Sequence, residues 1–218
     1  EMARLTGTGR FGIGTASPQK QLQILGDADT CLRITSSAGG VASLQLGDTA
    51  DTVKGAITFK NDDNSLRIRG HNNADRIVID SSGNITKPNQ PLFVAQKSGA
   101  ITGTGFVTFD TVIENVGSHY DSSNGRFTAP VAGYYWFCCK INAYKRIDFY
   151  FKRNGSNSGA ANREIGQFNT SNQDGWYSHN LIRIFELAAN DYVQVDVTVI
   201  HQNSDPGEWI TFQGYLLQ

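Results

Sequence analysis

Residues 133–142, Gly-Tyr-Tyr-Trp-Phe-Cys-Cys-Lys-Ile-Asn, constrain the fold of this chain more than any other stretch. At a period of two, Tyr135, Phe137, Cys139 and Ile141 share one side of a strand, and Tyr134, Trp136 and Cys138 share the other. A strand apolar on both sides has to be covered twice, once by its own core and once by a second sheet or a neighbouring subunit. Upstream, Asn124-Gly125 marks a turn that favours positive φ, and Pro130 and Gly133 break any ladder before the strand begins. The segment therefore reads as turn, short strand, break and long central strand.

The same grammar fills the C-terminal part. Strands are predicted near 92–96, 105–110, 112–116, 126–129, 133–142, 147–153, 179–187, 191–200 and 208–217, and no stretch sustains a 3.6-residue period. So many strands in so short a span predict a double-sheet jelly roll or sandwich over residues 91–218.

Residues 1–90 follow a different rhythm. Apolar pairs recur at i and i+2 as Leu22/Ile24, Leu32/Ile34, Leu44/Leu46, Ile57/Phe59, Leu66/Ile68 and Ile77/Ile79, separated by Gly-, Asn- and Asp-rich turns. Each strand offers only a few large apolar side chains, too few in one copy to offset a chain entropy of about 1–2 kcal/mol per residue. The reading is an intertwined, repetitive β stalk in which three chains pool their apolar edges, with a self-sufficient sandwich as the alternative. Pro88 and Pro91 suit a stiff connector between the two parts. Because Glu1-Met2 already lies in patterned sequence, the chain is expected to be a piece of a longer fibre.

Composition narrows the function. A net charge of -1 leaves no basic field for nucleic acid, and no apolar run is long enough for a membrane-spanning helix. Cys31, Cys138 and Cys139 have no disulfide or zinc spacing and read as small apolar residues of a reducing compartment. Gly7-Thr-Gly-Arg-Phe-Gly12 spells a dinucleotide fingerprint without the strand and helix that give it meaning, and no other catalytic signature is present. Asn61-Asp62-Asp63-Asn64 reads as a solvated turn rather than a calcium loop. No cofactor and no metal are expected.

Two resemblances add to this. Phe11-Gly-Ile-Gly-Thr-Ala-Ser-Pro18 resembles an element of bacteriophage and bacterial surface fibres that precedes a β-structured shaft. The C-terminal part resembles the globular domain of complement component one q, one of the tumour-necrosis-factor-like jelly rolls. The residues carrying it are Phe109-Asp110-x-Val112-x-x-Asn115, Tyr120-Asp121, Gly125-x-Phe127, Pro130, Gly133-x-Tyr135-x-Phe137, Phe149-x-x-Lys152-x-Asn154-Gly155, Asp191-x-Val193-x-Val195 and Phe212-x-Gly214-x-Leu216. The family's late Gly before Asp is Asn190 here, and its collagen stalk is absent. The resemblance implies a homotrimer, with Tyr134, Tyr135, Trp136, Phe137, Phe212 and Tyr215 in the core or between subunits.

For ligand binding, aromatic residues in polar loops are the candidates. Trp176 and Tyr177 close a polar insert containing Asn169, Gln173 and Asp174, and Trp209 follows Asp205 and Glu208. Such sets suit sugars, with rings against the apolar face and amides or carboxylates on the hydroxyls. The expected function is a non-enzymatic trimeric virion or tail fibre whose head attaches to host polysaccharide or lipopolysaccharide. A purely architectural trimerisation cap is the alternative. A depolymerase would draw on Glu164, Asp174, Asp205 and Glu208, whose separation a sequence does not fix.

Overall fold

The computed structural model describes residues 2–26, 28–144, 147–155, 163–167, 175–200, 204 and 207–218. Contacts divide the chain into two units, Glu1–Thr86 and Lys87–Gln218. Among the described residues the only helical element is a 3-10 turn at His71–Asn73.

In the first unit, β1 (Ala3–Leu5), β2 (Phe11–Ile13) and β3 (Leu22–Ile24) form a small sheet, with β2 and β3 parallel. A second sheet is an antiparallel meander of β4 (Val41–Leu46), β5 (Gly55–Lys60), β6 (Ser65–Gly70), β7 (Ala74–Ile79) and β8 (Ile85–Thr86), in that order. The alternating pairs at 44/46, 57/59, 66/68 and 77/79 all fall on its strands. Leu32 and Ile34 do not, for residues 28–37 form no ladder. Each strand of the meander pairs with a neighbour in the same chain. Within the described residues the outer edges of β4 and β8 have no ladder partner.

The second unit begins with β9 (Leu92–Lys97), β10 (Gly105–Phe106), β11 (Thr111–Val116), β12 (Tyr120–Asp121) and β13 (Arg126–Thr128). It continues with β14 (Gly133–Tyr144), β15 (Ile147–Arg153), β16 (Arg163–Gln167), β17 (Trp176–Leu187), β18 (Tyr192–Ile200) and β19 (Gly207–Leu216). One sheet runs β11-β9-β19-β14-β17, and the other β12-β13-β18-β15-β16 with β10 paired to β18. All these pairings are antiparallel, so the fold is the all-β jelly-roll sandwich that the strand pattern predicts.

Between the sheets lies an aromatic core. Phe93, Tyr135, Phe137 and Phe212 enter from the first sheet, and Phe127, Phe149 and Phe151 from the second, all essentially inaccessible. The rings pack in offset and edge-on contacts, with Phe93 centred 4.8 Å from both Tyr120 and Phe212. Such pairs add about 0.5–1.5 kcal/mol beyond burial itself. Two glycines make this packing possible. Gly214 pairs with Phe137 across the ladder, and a Cβ there would stand 2.5 Å from the Phe137 ring. Gly125 has φ 72°, and its Cβ would stand 2.3 Å from the Val107 carbonyl oxygen.

One strand is shorter than its pattern suggests. Instead of 105–110, the strand covers only Gly105–Phe106, and one further backbone bond, from the Val107 N–H to the Val195 carbonyl at 2.9 Å, follows it. The Phe109 backbone is met by a side chain: the buried Tyr120 hydroxyl accepts from Phe109 N–H and donates to its carbonyl, both at 3.1 Å. Burial raises the Tyr120 pKa well above its ordinary value, so this hydroxyl stays a donor at any physiological pH.

Candidate functional site

β14 is the centre of the candidate site. Its odd residues Tyr135, Phe137, Cys139 and Ile141 face the core and are fully buried. Its even residues face outward, flanked by β17 on one side and β19 on the other. Trp136 pairs with Ile184 and Tyr215, and Cys138 with Ile182 and Gln213. The Trp136 and Tyr215 rings lie 5.3 Å apart. Ile182 and Ile184 remain 55% and 59% exposed, and Tyr134 is exposed beside them. Among the described residues of this unit, this end of the face is a contiguous, exposed apolar patch. Of the six residues predicted as core or interface, Tyr135, Phe137 and Phe212 are core, while Tyr134, Trp136 and Tyr215 form the open face.

Towards the other end the same face changes character. Lys140, Asn142 and Tyr144 replace the apolar residues on β14, and Ser178 and Asn180 replace them on β17. Two tryptophans stand among them. Trp209 is half exposed, with the Lys140 ammonium 4.9 Å from its ring centre. Trp176 is equally exposed and meets Tyr144 edge-on at 5.6 Å. Neither tryptophan enters the core. Both project from the sheet face that carries Trp136, rather than from loops remote from it.

Trp176 and Tyr177 do not act together. β17 begins at Trp176 rather than near 179, so the two residues point to opposite sides of one strand. Tyr177 lies on the core side, opposite Ala143, and only Trp176 can present a ring outward. Asn169, Gln173, Asp174 and Asp205 lie outside the described residues, as does the side chain of Glu208. The same holds for the side chain of Glu164.

The opposite sheet holds a feature that motif reading did not single out as a site. A cleft of about 470 Å³ is lined by Thr104, Gly105, Phe106, Lys152, Asp196, Val197 and Thr198. Lys152 and Asp196 form a buried ion pair within it, and the Lys152 ammonium lies 5.3 Å from the Phe106 ring centre. Parity gave part of the signal: Lys152 follows the core residue Phe151, and Asp196 separates Val195 from Val197, so each charge lies on the outer side of its strand, and the β15–β18 register brings the two together. Pairing satisfies both charges mutually. On the other sheet, Asp110 anchors the turn after β9. Burial raises its pKa, but hydrogen bonds from the Ser98 N–H and hydroxyl outweigh this and hold it at about 2, aided by Lys97. Among the described residues no group of His, Cys, Asp or Glu could hold a metal ion.

Two antiparallel sheets closed on an aromatic core, one with an apolar outer face, define a jelly-roll association module. The chain belongs to the C1q domain family, whose model matches residues 92–217. Domains of this family typically form trimers and bind ligands, and they are generally non-enzymatic. The chain is 30% identical over 94 residues to a complement C1q subcomponent of Mus musculus, covering 43% of this chain and 37% of that protein. It thus spans little more than a third of that relative's length. Similar solved structures include the globular domain of zebrafish complement 1qA, with a TM-score of 0.46, 18% identity and coverage of 59% of this chain and 98% of that one. Murine APRIL gives a TM-score of 0.47 at 12% identity, covering 59% of this chain and 99% of its own. Eiger TNF from S. frugiperda gives 0.44 at 16% identity, covering 60% and 94%.

Proposed function

We propose that this chain is a homotrimeric attachment module of a surface fibre, whose head joins copies through the apolar end of the β14 face and binds glycan through its polar, aromatic end. The carrying observation is the change of character along that one face. Trp136, Ile182, Ile184 and Tyr215 offer dry contact area, whereas Trp176 and Trp209 stand among amide, hydroxyl and ammonium groups that suit a sugar. The Gly-Ile-Gly-Thr-Ala-Ser-Pro element and the repetitive first unit favour a virion fibre, such as a bacteriophage tail fibre, with host polysaccharide or lipopolysaccharide as ligand. Three weak sites per head, repeated over several fibres, would raise avidity without new contacts.

The test is sedimentation of residues 87–218 together with a glycan array of bacterial surface polysaccharides. Trimeric heads that bind a defined glycan, and lose it in Trp209→Ala without losing the trimer, are the expected result. Trimeric heads that bind no glycan and no host cell would leave the architectural cap, which the apolar end of the face favours equally. Monomeric heads would overturn both readings.

A further inference from the structure

On the outer side of the β12-β13-β18-β15-β16 sheet, residues that alternation assigns to solvent are closed off from it. Lys152, Gln194 and Asp196 are only 6%, 2% and 6% exposed, although their strand neighbours Phe151, Val195 and Val197 are the ones that enter the core. The ladders fix their places. Asp196 sits between Phe106 on β10 and Tyr150 on β15, and Lys152 lies two residues along β15, opposite Gln194. From there the Lys152 ammonium reaches diagonally to Asp196 Oδ2. Unbroken pairing of Phe149–Arg153 with β18 holds both charges on rigid backbone rather than on a loop.

Stability does not account for this arrangement. Withdrawing two charges from water carries a desolvation cost, and apolar residues of similar size serve a fold as well or better. What the pair does have is a cleft in front of it. The volume of about 470 Å³ falls within the about 300–1,000 Å³ of small-molecule sites. Around the pair stand the half-exposed Phe106 ring and the hydroxyls of Thr104 and Thr198. A few convergent polar groups beside an apolar wall are the usual composition of a ligand site.

We infer that the Phe106–Lys152–Asp196 cleft binds a single neutral sugar unit, with hydroxyls on the ion pair and ring carbons against Phe106. The charges of the pair cancel, and that sets the class of ligand. An anion would face the Asp196 carboxylate and a cation the Lys152 ammonium, so either has to break the pair or bear a like charge. A neutral hydroxyl compound leaves the pair intact. Each hydroxyl both donates and accepts, so it can donate to the carboxylate and accept from an ammonium or threonine hydroxyl. Hydrogen bonds to charged partners are roughly twice as strong as those between neutral groups. The open part of the Phe106 ring adds apolar contact area, which the C–H face of a sugar matches. This site goes beyond the glycan end of the β14 face: it lies on the other sheet, shares no residue with it and contains no tryptophan.

The test titrates the full chain, labelled with nitrogen-15, with free glucose, galactose, mannose and N-acetylglucosamine, and with acetate and methylamine as charged controls. At least one of the four sugars is expected to shift the amides of Thr104–Phe106 and Asp196–Thr198 saturably. Phe106→Ala should weaken that sugar at least 10-fold and leave thermal unfolding unchanged, since the ring is half exposed. Removing one charge alone would strand the other, so the pair is removed whole: Lys152→Met/Asp196→Leu preserves volume and should abolish binding. If the double variant does not fold, Phe106→Ala decides alone. The inference is overturned if none of the four sugars shifts these amides, or if sugar binding survives the cleft variants. Acetate or methylamine shifting them at lower concentration than the sugars also overturns it. Trp136, Trp176 and Trp209 all lie on the other sheet, so their fluorescence reports the β14 face separately. A sugar response confined to those tryptophans supports the β14 reading and overturns this one. Amide shifts at the cleft with silent tryptophans support this inference and count against that reading.

Discussion

Replacing Ile182 and Ile184 with threonine should dissociate the head without weakening its fold. Threonine keeps the β-branch that a strand favours, so the ladder with β14 is left intact. Full burial of an isoleucine is worth about 1.5–3 kcal/mol. With 55% and 59% of these two still exposed, about 1–1.7 kcal/mol remains to be gained at each position when a neighbouring copy covers it. Two positions in three copies amount to about 6–10 kcal/mol per trimer, with threonine forfeiting most of it. For a trimer the midpoint concentration follows the square root of the equilibrium constant, so it should rise at least about 100-fold. Sedimentation velocity across a dilution series measures this directly. The monomer's own stability should stay within about 0.5 kcal/mol, because in a single copy both side chains face water. Phe137→Ala should do the opposite, costing about 3–5 kcal/mol of fold stability by opening a cavity. An unchanged midpoint in the threonine double variant would refute the assignment of this face to self-association.

Further expectations concern single residues. Gly214→Val places its Cβ 2.5 Å from the Phe137 ring and 2.9 Å from the Trp136 carbonyl oxygen, and should cost about 1–3 kcal/mol in denaturant unfolding. Asp110 has a depressed pKa of about 2 against an ordinary 3.8, so its stabilising contribution is complete above about pH 4 and is lost as pH falls through 2. Its carboxylate is 42% exposed, which reduces that contribution to about 1 kcal/mol; Asp110→Asn should lose this much at pH 7 and flatten the acid limb of the stability curve. Trp176→Ala should weaken glycan binding while leaving thermal unfolding nearly unchanged, since its ring is exposed; Tyr177→Ala should do the reverse. Glycan titration and calorimetry on the two variants separate these outcomes.

Much of the fold was legible because period two is a strong signal wherever both neighbours of a strand are known. The division of β14 into Tyr135, Phe137 and Cys139 on one side and Tyr134, Trp136 and Cys138 on the other was legible from sequence, whereas the exposure of Tyr134 was not, since both sides read as covered. Gly125 and Asn190 were readable too, since their left-handed conformations, φ 72° and 71°, follow from turn chemistry. What sequence did not show was where a ladder stops. Val107–Asp110 alternates like a strand, yet the Tyr120 side chain takes the place of a neighbouring backbone at Phe109. A start at 179 instead of 176 hid the opposite facing of Trp176 and Tyr177, and so joined two residues that cannot share a ligand. The Lys152–Asp196 pair went unread because its partners lie on separate strands, and only register brings them together. In the first unit the apolar pairs were visible, but the face they leave open depends on pairing that a sequence does not display.

Cys138 and Cys139, adjacent on β14, carry one more consequence. Cys139 is sealed in the core, Cys31 is open to solvent, and Cys138 sits half covered in the middle of the apolar face. Burial lifts the Cys138 thiol above its ordinary range, only partly countered by a hydrogen bond with Gln213, so it alkylates slowly even when reached. The chain therefore contains three thiols that answer three different questions. Cys31 should react in the folded chain, Cys139 only after unfolding, and Cys138 should lose its reactivity on association if the proposed self-association covers this face.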